Sequence, residues 1–240
     1  MQQPTRDPAP TIEAPRPLRA LIVGASRGIG AALVRQYAAT GWEVHATLRK
    51  PAADAAQGLP HGVHLHTLDL RDPAQIAALA AALGDAPLDL LIVAAGTYDR
   101  VGGAFGNGPA VPRDEVFAIN TVAPMRVAAV VLPNLRAAAP SKMVFISSAE
   151  GIRTGGRAQG VYGQSKAALN DHIREYAGEW AYFGVIGIAL HPGWVRTDMG
   201  GARAPLTPDQ SAAGIQKVVA GLTPEHCGVF MDYRGTMLPW

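Results

Sequence analysis

The chain has 240 residues, 48% of them hydrophobic and 17% charged, with a formal net charge of +2. That length and composition suit one large globular domain or two small ones and exclude a disordered chain. The small, scattered positive charge excludes a nucleic-acid footprint, and no apolar run approaches the ~18 residues of a membrane span; the single Cys227 cannot form an internal disulfide, which fits a cytoplasmic setting.

Residues 1–17, "MQQPTRDPAPTIEAPRP", are broken by proline and lack an apolar signal core, so a disordered tail is expected. From Leu18 to residue 240 strand and helix patterns alternate without a linker, which predicts one domain. "LRALIV" reads as a strand and "GIGAALVRQYAATG" as a helix closed by Gly41. "EVHATL" and "VHLHTLDL" are short strand patterns, and "PAQIAALAAALG" is a helix begun by Pro73. "LDLLIVAAG" is a continuous apolar run, as expected of a strand buried on both faces.

A glycine-rich loop, "GTYDRVGGAFGNGP", precedes a long helix over about residues 113–138, with kinks expected at Pro124 and Pro133. "KMVFISS" is a strand, residues 161–182 a second long helix and "VIGIALHPG" a further strand. "TPDQSAAGIQKVVAGL" closes the series of helices and "GVFMDY" the series of strands. This alternation predicts an α/β fold, a doubly wound parallel sheet of about seven strands with helices on both faces.

"LIVGASRGIG" places Gly24, Gly28 and Gly30 between the first strand and the first helix. Glycine there permits a tight turn and a close backbone approach to a pyrophosphate, whose charge the helix N-terminus favours. An ordinary strand-to-helix turn needs one glycine, not three. A site for NAD sets an acidic residue after the second strand, on the ribose 2′-hydroxyl. Here "ATLRK" puts Arg49 in that place, and Arg27 lies within the glycine loop. Two guanidinium groups beside a ribose suit a 2′-phosphate, so NADP(H) is expected rather than NAD(H).

"GVYGQSKAALN" sets Tyr162 and Lys166 four apart, on one side of a helix. A phenol has a reference pKa near ~10 and is little ionised at neutral pH. A nearby ammonium, together with the charge of an oxidised nicotinamide, stabilises the phenolate. Such a tyrosine can give a proton to a carbonyl oxygen, or take it back in the reverse direction.

With the glycine loop and "YGQSK" in place, the chain resembles the short-chain dehydrogenase/reductase family from about Leu18 to the C-terminus. Six tyrosines and four lysines in this length predict only about 0.1 chance YxxxK pairs. "VFISSAEG" supplies Ser148, fourteen residues before Tyr162, with Ser147 one register step away, and "FAINTVAP" supplies Asn120. The resemblance implies that Ser148 orients the carbonyl and that Asn120 holds a water linking Lys166 to solvent. It also implies that Ser26 and Ile29 join the three glycines around the cofactor, with Lys166 on the ribose beside Tyr162. Asp69, with Leu70, is expected against adenine, and Ala95 and Gly96 beneath the cofactor. "HPGWVRTDMGG" matches the turn that runs under the nicotinamide, at Pro192 and Gly193, with Val195 and Thr197 on the carboxamide.

Within the family, that segment and the terminal "GVFMDYRGTMLPW" look most like the C-factor and sniffer-type carbonyl reductases. The expected activity is NADPH-dependent reduction of an aldehyde, ketone or quinone, with hydride leaving the pro-S face. A small-molecule partner, a homo-oligomer of two or four copies and a fairly open pocket are implied with it. The rival reading is an NADP-binding regulatory or signalling protein of the same fold. The chain departs from the family at Val23, where threonine is usual, and at "VAAG", residues 93–96, where Asn-Asn-Ala-Gly is usual.

No metal site is expected: His64 and His66 share a strand face, near His61, without an acidic or thiol partner. His191 is read as structural and Cys227 as a small hydrophobe. Trp194 is placed either in the pocket or in packing.

Overall fold

In the computed structural model, which describes residues 16–50, 58–101, 103 and 108–240, strands and helices alternate as the sequence predicts. They are β1 (Arg19–Val23), α1 (Gly28–Ala39), β2 (Glu43–Leu48), β3 (His64–Thr67), α2 (Pro73–Leu83) and β4 (Leu90–Val93). There follow α3 (Arg113–Ala137), β5 (Ser141–Ile146), α4 (Gly160–Tyr182), β6 (Val185–His191), α5 (Pro208–Ala220) and β7 (Phe230–Asp232). The strands form one seven-stranded sheet in the order β3-β2-β1-β4-β5-β6-β7, every pair parallel. The order reverses between β1 and β4, where open sheets of this kind leave a crevice beyond the strand carboxyl ends.

Burial on both faces explains the continuous apolar strands. Alternation along β1 sends Leu21 and Val23 into one core, with Ile76 of α2, Val127 and Val131 of α3, and Leu169 and Ile173 of α4. Ala20 and Ile22 enter the other, with Leu33, Val34 and Tyr37 of α1 and Ile215 and Val219 of α5. Helix α3 is apolar and long enough by composition to cross a membrane, yet Val127, Val131 and Leu135 are fully buried in the core beside the sheet. Cys227 packs between both cores, as a small hydrophobe would.

Local chemistry sets the helix starts. Asp72 accepts from the N–H of Ala74 at 2.9 Å with Pro73 behind it, and Thr207 and Gln210 close a reciprocal cap on α5. Of the two kinks expected in α3, one takes the form of a π-turn at Ala118–Val122, directly before Pro124. Pro124 has no N–H for the carbonyl of Asn120 four residues back, and the wider turn accommodates that loss. Pro133 sits inside the helix that continues to Ala137.

Several expected boundaries were too generous. The third strand ends at Thr67, not at residue 70, because its partner β2 ends opposite it at Leu48. The tail expected over 1–17 lies outside the described residues except at its end, where Arg16 grips Asp89 through two hydrogen bonds of 2.7 and 2.9 Å. Of the glycine-rich loop, Gly102 and residues 104–107 lie outside the described residues. Gly103 abuts the segment after β6: a Cβ there would come within 2.2 Å of the Met199 carbonyl oxygen.

Candidate active site

The carboxyl ends of β1, β4, β5 and β6 bring the sequence-marked residues to one crevice. Gly24 leaves β1 at φ +89°, and its N–H donates to Thr47 Oγ1 at 3.1 Å. Ala94 and Ala95 both donate to the Val23 carbonyl at 2.9 Å, drawing the end of β4 under the loop. A Cβ on Gly24 would lie 2.7 Å from Ala95, and one on Gly30 only 2.1 Å from the Gly24 carbonyl oxygen. The loop is thus a tight, side-chain-free cradle at the start of α1, with Ser26 and Arg27 exposed on it and Ile29 half-buried behind it. Its backbone fits a dinucleotide pyrophosphate.

At one end of the crevice Arg49 is exposed just beyond β2. Asp69 is already engaged: Arg71 donates to its carboxylate from the backbone at 2.9 Å and from the guanidinium at 2.6 Å. Those bonds, with a further contribution from the charge of Arg49, hold the Asp69 carboxyl down at about 2. Leu70 is half-buried against the core. At the other end the segment after β6 returns alongside the start of α5. Arg196 donates to Leu206 at 2.8 Å, and Ser211 Oγ donates to the Pro192 carbonyl at 2.7 Å. Val195 is buried beside Leu206. Thr197 approaches Gly28, whose Cβ would lie 3.1 Å from the threonine methyl.

Between the two ends sit the residues expected to handle the proton. Tyr162, on the first turn of α4, is 8% exposed, and its phenol lies close to the Ser148 hydroxyl. The adjacent hydroxyl, Ser147, is engaged elsewhere and donates to Asn170 Oδ1 at 2.6 Å. Lys166 is 4% exposed; its Nζ donates to the Ile146 carbonyl at 2.8 Å and lies 5.9 Å from the centre of the Tyr162 ring. Burial pulls the Lys166 ammonium down to about 8. The Tyr162 phenol is pushed above its ordinary range, by burial first and then by the charge of Glu150, against a smaller opposing effect of the nearby Ser148 hydroxyl. The lowering expected from Lys166 is not found: burial dominates, and the phenol stays protonated.

Asn120 lies in the π-turn and is fully buried. Its side chain clamps Thr97, accepting from the N–H and donating to the carbonyl, both at 2.8 Å, and donates to Ser165 Oγ at 3.0 Å. Both N–H groups of its amide and one acceptor site thus fix the strand end after β4 to α4. Gly96 fills the gap between these groups: a Cβ there would stand 3.3 Å from Asn120 Oδ1 and 3.5 Å from Lys166 Nζ.

Three neighbours escaped the sequence reading. Tyr98 lies over Tyr162 with ring centres 4.6 Å apart, the Glu150 carboxylate stands close to the Tyr98 phenol, and Ser165 donates to the Tyr162 carbonyl at 2.7 Å. Ser165 alone carried a signal, its place one residue before Lys166; the others come from loops without periodicity. Trp194, for which pocket and packing were both open, is 46% exposed with its indole N–H on the Gly200 carbonyl at 2.8 Å, so it is not a core side chain. His191 is structural in its contacts, accepting from the Ala149 N–H at 3.3 Å, with burial lowering its pKa.

The imidazole group needs a correction. His64 and His66 do have an acidic neighbour, because β2 contributes Glu43 and His45 to the same face. Glu43 Oε1 lies 3.9 Å from His64 Nε2 and 3.0 Å from His45 Nε2, and His45 Nδ1 lies 2.9 Å from His66 Nε2. Arg19 of β1 donates to Glu43 at 2.9 Å and reaches His45 Nε2 at 2.8 Å, so the carboxylate already has a buried cation. His61 stands apart, in the turn before β3.

Comparison with known proteins matches this architecture. The family model for short chain dehydrogenases fits residues 19–206. The C-signal of Myxococcus xanthus is 38% identical over 156 residues, covering 64% of this chain and 93% of that protein. Among solved structures, the NADPH-bound carbonyl reductase from chicken fatty liver is 33% identical, with a TM-score of 0.83 over 94% of this chain and 100% of that one. The carbonyl reductase Sniffer of D. melanogaster is 27% identical, with a TM-score of 0.81 over the same shares.

Proposed function

The chain belongs to the short chain dehydrogenase family, and from that membership we propose that it is an NADPH-dependent reductase of aldehydes, ketones or quinones. The observation that carries the reading is the buried Tyr162 phenol, close to the Ser148 hydroxyl and four residues from a buried Lys166, beside the glycine cradle. The NADPH bound by the similar chicken enzyme supports the choice of cofactor.

Gly24, Gly28 and Gly30 would hold the pyrophosphate, with Ser26 and Ile29 around it. Arg27 and Arg49 would meet the 2′-phosphate, and Asp69 and Leu70 the adenine. Ala95, Gly96, Pro192, Gly193, Val195 and Thr197 would bound the nicotinamide half. A nicotinamide bound there would supply the hydride.

The chain's own residues manage the proton. A carbonyl oxygen placed between Ser148 and Tyr162 takes a hydrogen bond from the serine hydroxyl, which orients it. Tyr162 gives that oxygen its proton, and the burial that keeps the phenol neutral keeps the donor loaded. Lys166 fits as the resupply and as a ribose anchor, because a group held at about 8 can exchange a proton near neutral pH. Asn120 fixes the geometry of Thr97 and α4 around it. An assembly of two or four copies and a cytoplasmic setting belong to the same proposal.

The likeness to the C-signal favours a second reading, an NADP-binding regulatory protein. NADPH and NADH oxidation by the purified chain against aldehydes, ketones and quinones separates the two. The reductase reading expects turnover that favours NADPH. NADPH binding without turnover of any class would favour the regulatory reading.

A further inference from the structure

Beside the proton donor stands an acidic rim that the reduction step does not use. Tyr98 lies on the Tyr162 ring at 4.6 Å, the two planes 31° apart, and the Glu150 carboxylate stands close to its phenol. Glu150 is tied to the site from below as well, since its backbone N–H donates to Ser148 Oγ at 3.1 Å. As a residue Glu150 is exposed, yet its carboxyl is packed closely enough for burial to raise its pKa, and the charge of Asp99 raises it further. Neither Glu150 nor Asp99 forms an ion pair among the described residues. Two neighbouring carboxylates, paired with no cation among the described residues, therefore stand on the Tyr98 side of Ser148 and Tyr162.

We infer that Glu150, reinforced by Asp99, is a specificity-determining residue that biases the site against carbonyl substrates with an anionic group next to the reacting carbon. The inference rests on the reductase reading and goes beyond it. A substrate carbonyl must reach the Ser148 hydroxyl and the Tyr162 phenol, so a substituent on the carbonyl carbon comes to lie near the Tyr98–Glu150 pair. In a partly water-excluded rim a like charge at several ångströms is strongly felt, and a neutral ester of the same shape is not. Carbonyl compounds with an ammonium or another hydrogen-bond donor in that position are favoured for the same reason.

The test uses a matched pair, benzoylformate and its ethyl ester, with kcat/KM for NADPH-dependent reduction measured on the parent chain, on Glu150→Gln and on Asp99→Asn. Each ratio of anion to ester is compared with the parent's, which cancels the intrinsic difference in reactivity and any common change in Tyr162. The expected result is a ratio raised about fivefold in Glu150→Gln and raised less in Asp99→Asn. An unchanged ratio in both variants, with the ester still reduced, overturns the inference and leaves the reductase reading intact. A parent chain that reduces neither benzoylformate, its ester nor any simple aldehyde overturns the reductase reading, and the inference with it.

Discussion

Arg27 and Asp198 face each other across the mouth of the crevice, Nη1 to Oδ2, at 2.6 Å. The pair joins the glycine loop to the segment after β6, with side chains 72% and 66% exposed. An ion pair this open to water is weak and easily exchanged. In the proposed complex Arg27 leaves Asp198 for the 2′-phosphate, so the pair competes with cofactor binding. Asp198→Asn is expected to tighten NADPH by no more than about fivefold, with NADH unaffected. Arg49→Ala is expected to act oppositely, weakening NADPH about tenfold or more and NADH much less. Fluorescence quenching gives both dissociation constants; equal effects on the two cofactors would remove the 2′-phosphate from this account.

The cradle can be tested without cofactor. Gly30→Ala forces a Cβ to 2.1 Å from the Gly24 carbonyl, a backbone atom that cannot step aside. A loss of about 1–3 kcal/mol in urea unfolding is expected. Gly178, inside α4, would meet nothing within 4 Å on gaining a Cβ, so Gly178→Ala is expected to stabilise by up to about 1 kcal/mol. Equal losses at both positions would deny the close approach.

Lys166 ties stability to function. Its ammonium is held at about 8 in the fold, against 10.5 ordinarily, because burial disfavours the charge. The unfolded chain therefore holds this proton more tightly, and the group subtracts stability in full below about pH 8. That deficit fades as pH rises from about 8 to about 10.5. Lys166→Met removes the effect, so the stability of the variant relative to the parent should decline by roughly 3 kcal/mol between pH 7 and pH 10.5. Its carbonyl reduction should fall at least about a hundredfold. A stability difference independent of pH would mean that Lys166 titrates normally.

The parts of this molecule that were legible in its sequence are those with local periodicity. The all-apolar β4 announced a strand covered on both faces, and the three glycines between β1 and the first turn of α1 announced a backbone that something approaches closely. Tyr162 and Lys166 were legible because a helix repeats every 3.6 residues. The π-turn around Asn120 was not, since Pro124 signals only that a hydrogen bond is missing and not how the chain absorbs it. Contacts set by register were also hidden. Glu43 meets His64 only because β2 and β3 pair with His45 opposite His64. Tyr98 and Glu150 come from loops after two different strands, and no spacing in the sequence joins them.

The most direct test of the account is NADPH oxidation by the parent chain and by Tyr162→Phe on one reducible carbonyl compound, with NADPH binding measured on both proteins. The substitution removes the phenolic hydroxyl and little else. The account predicts a rate lower by a factor of about a hundred to ten thousand in the variant, with NADPH bound as tightly as by the parent within a few-fold. Equal turnover by the two proteins would contradict it, because the proton would then come from a group other than Tyr162.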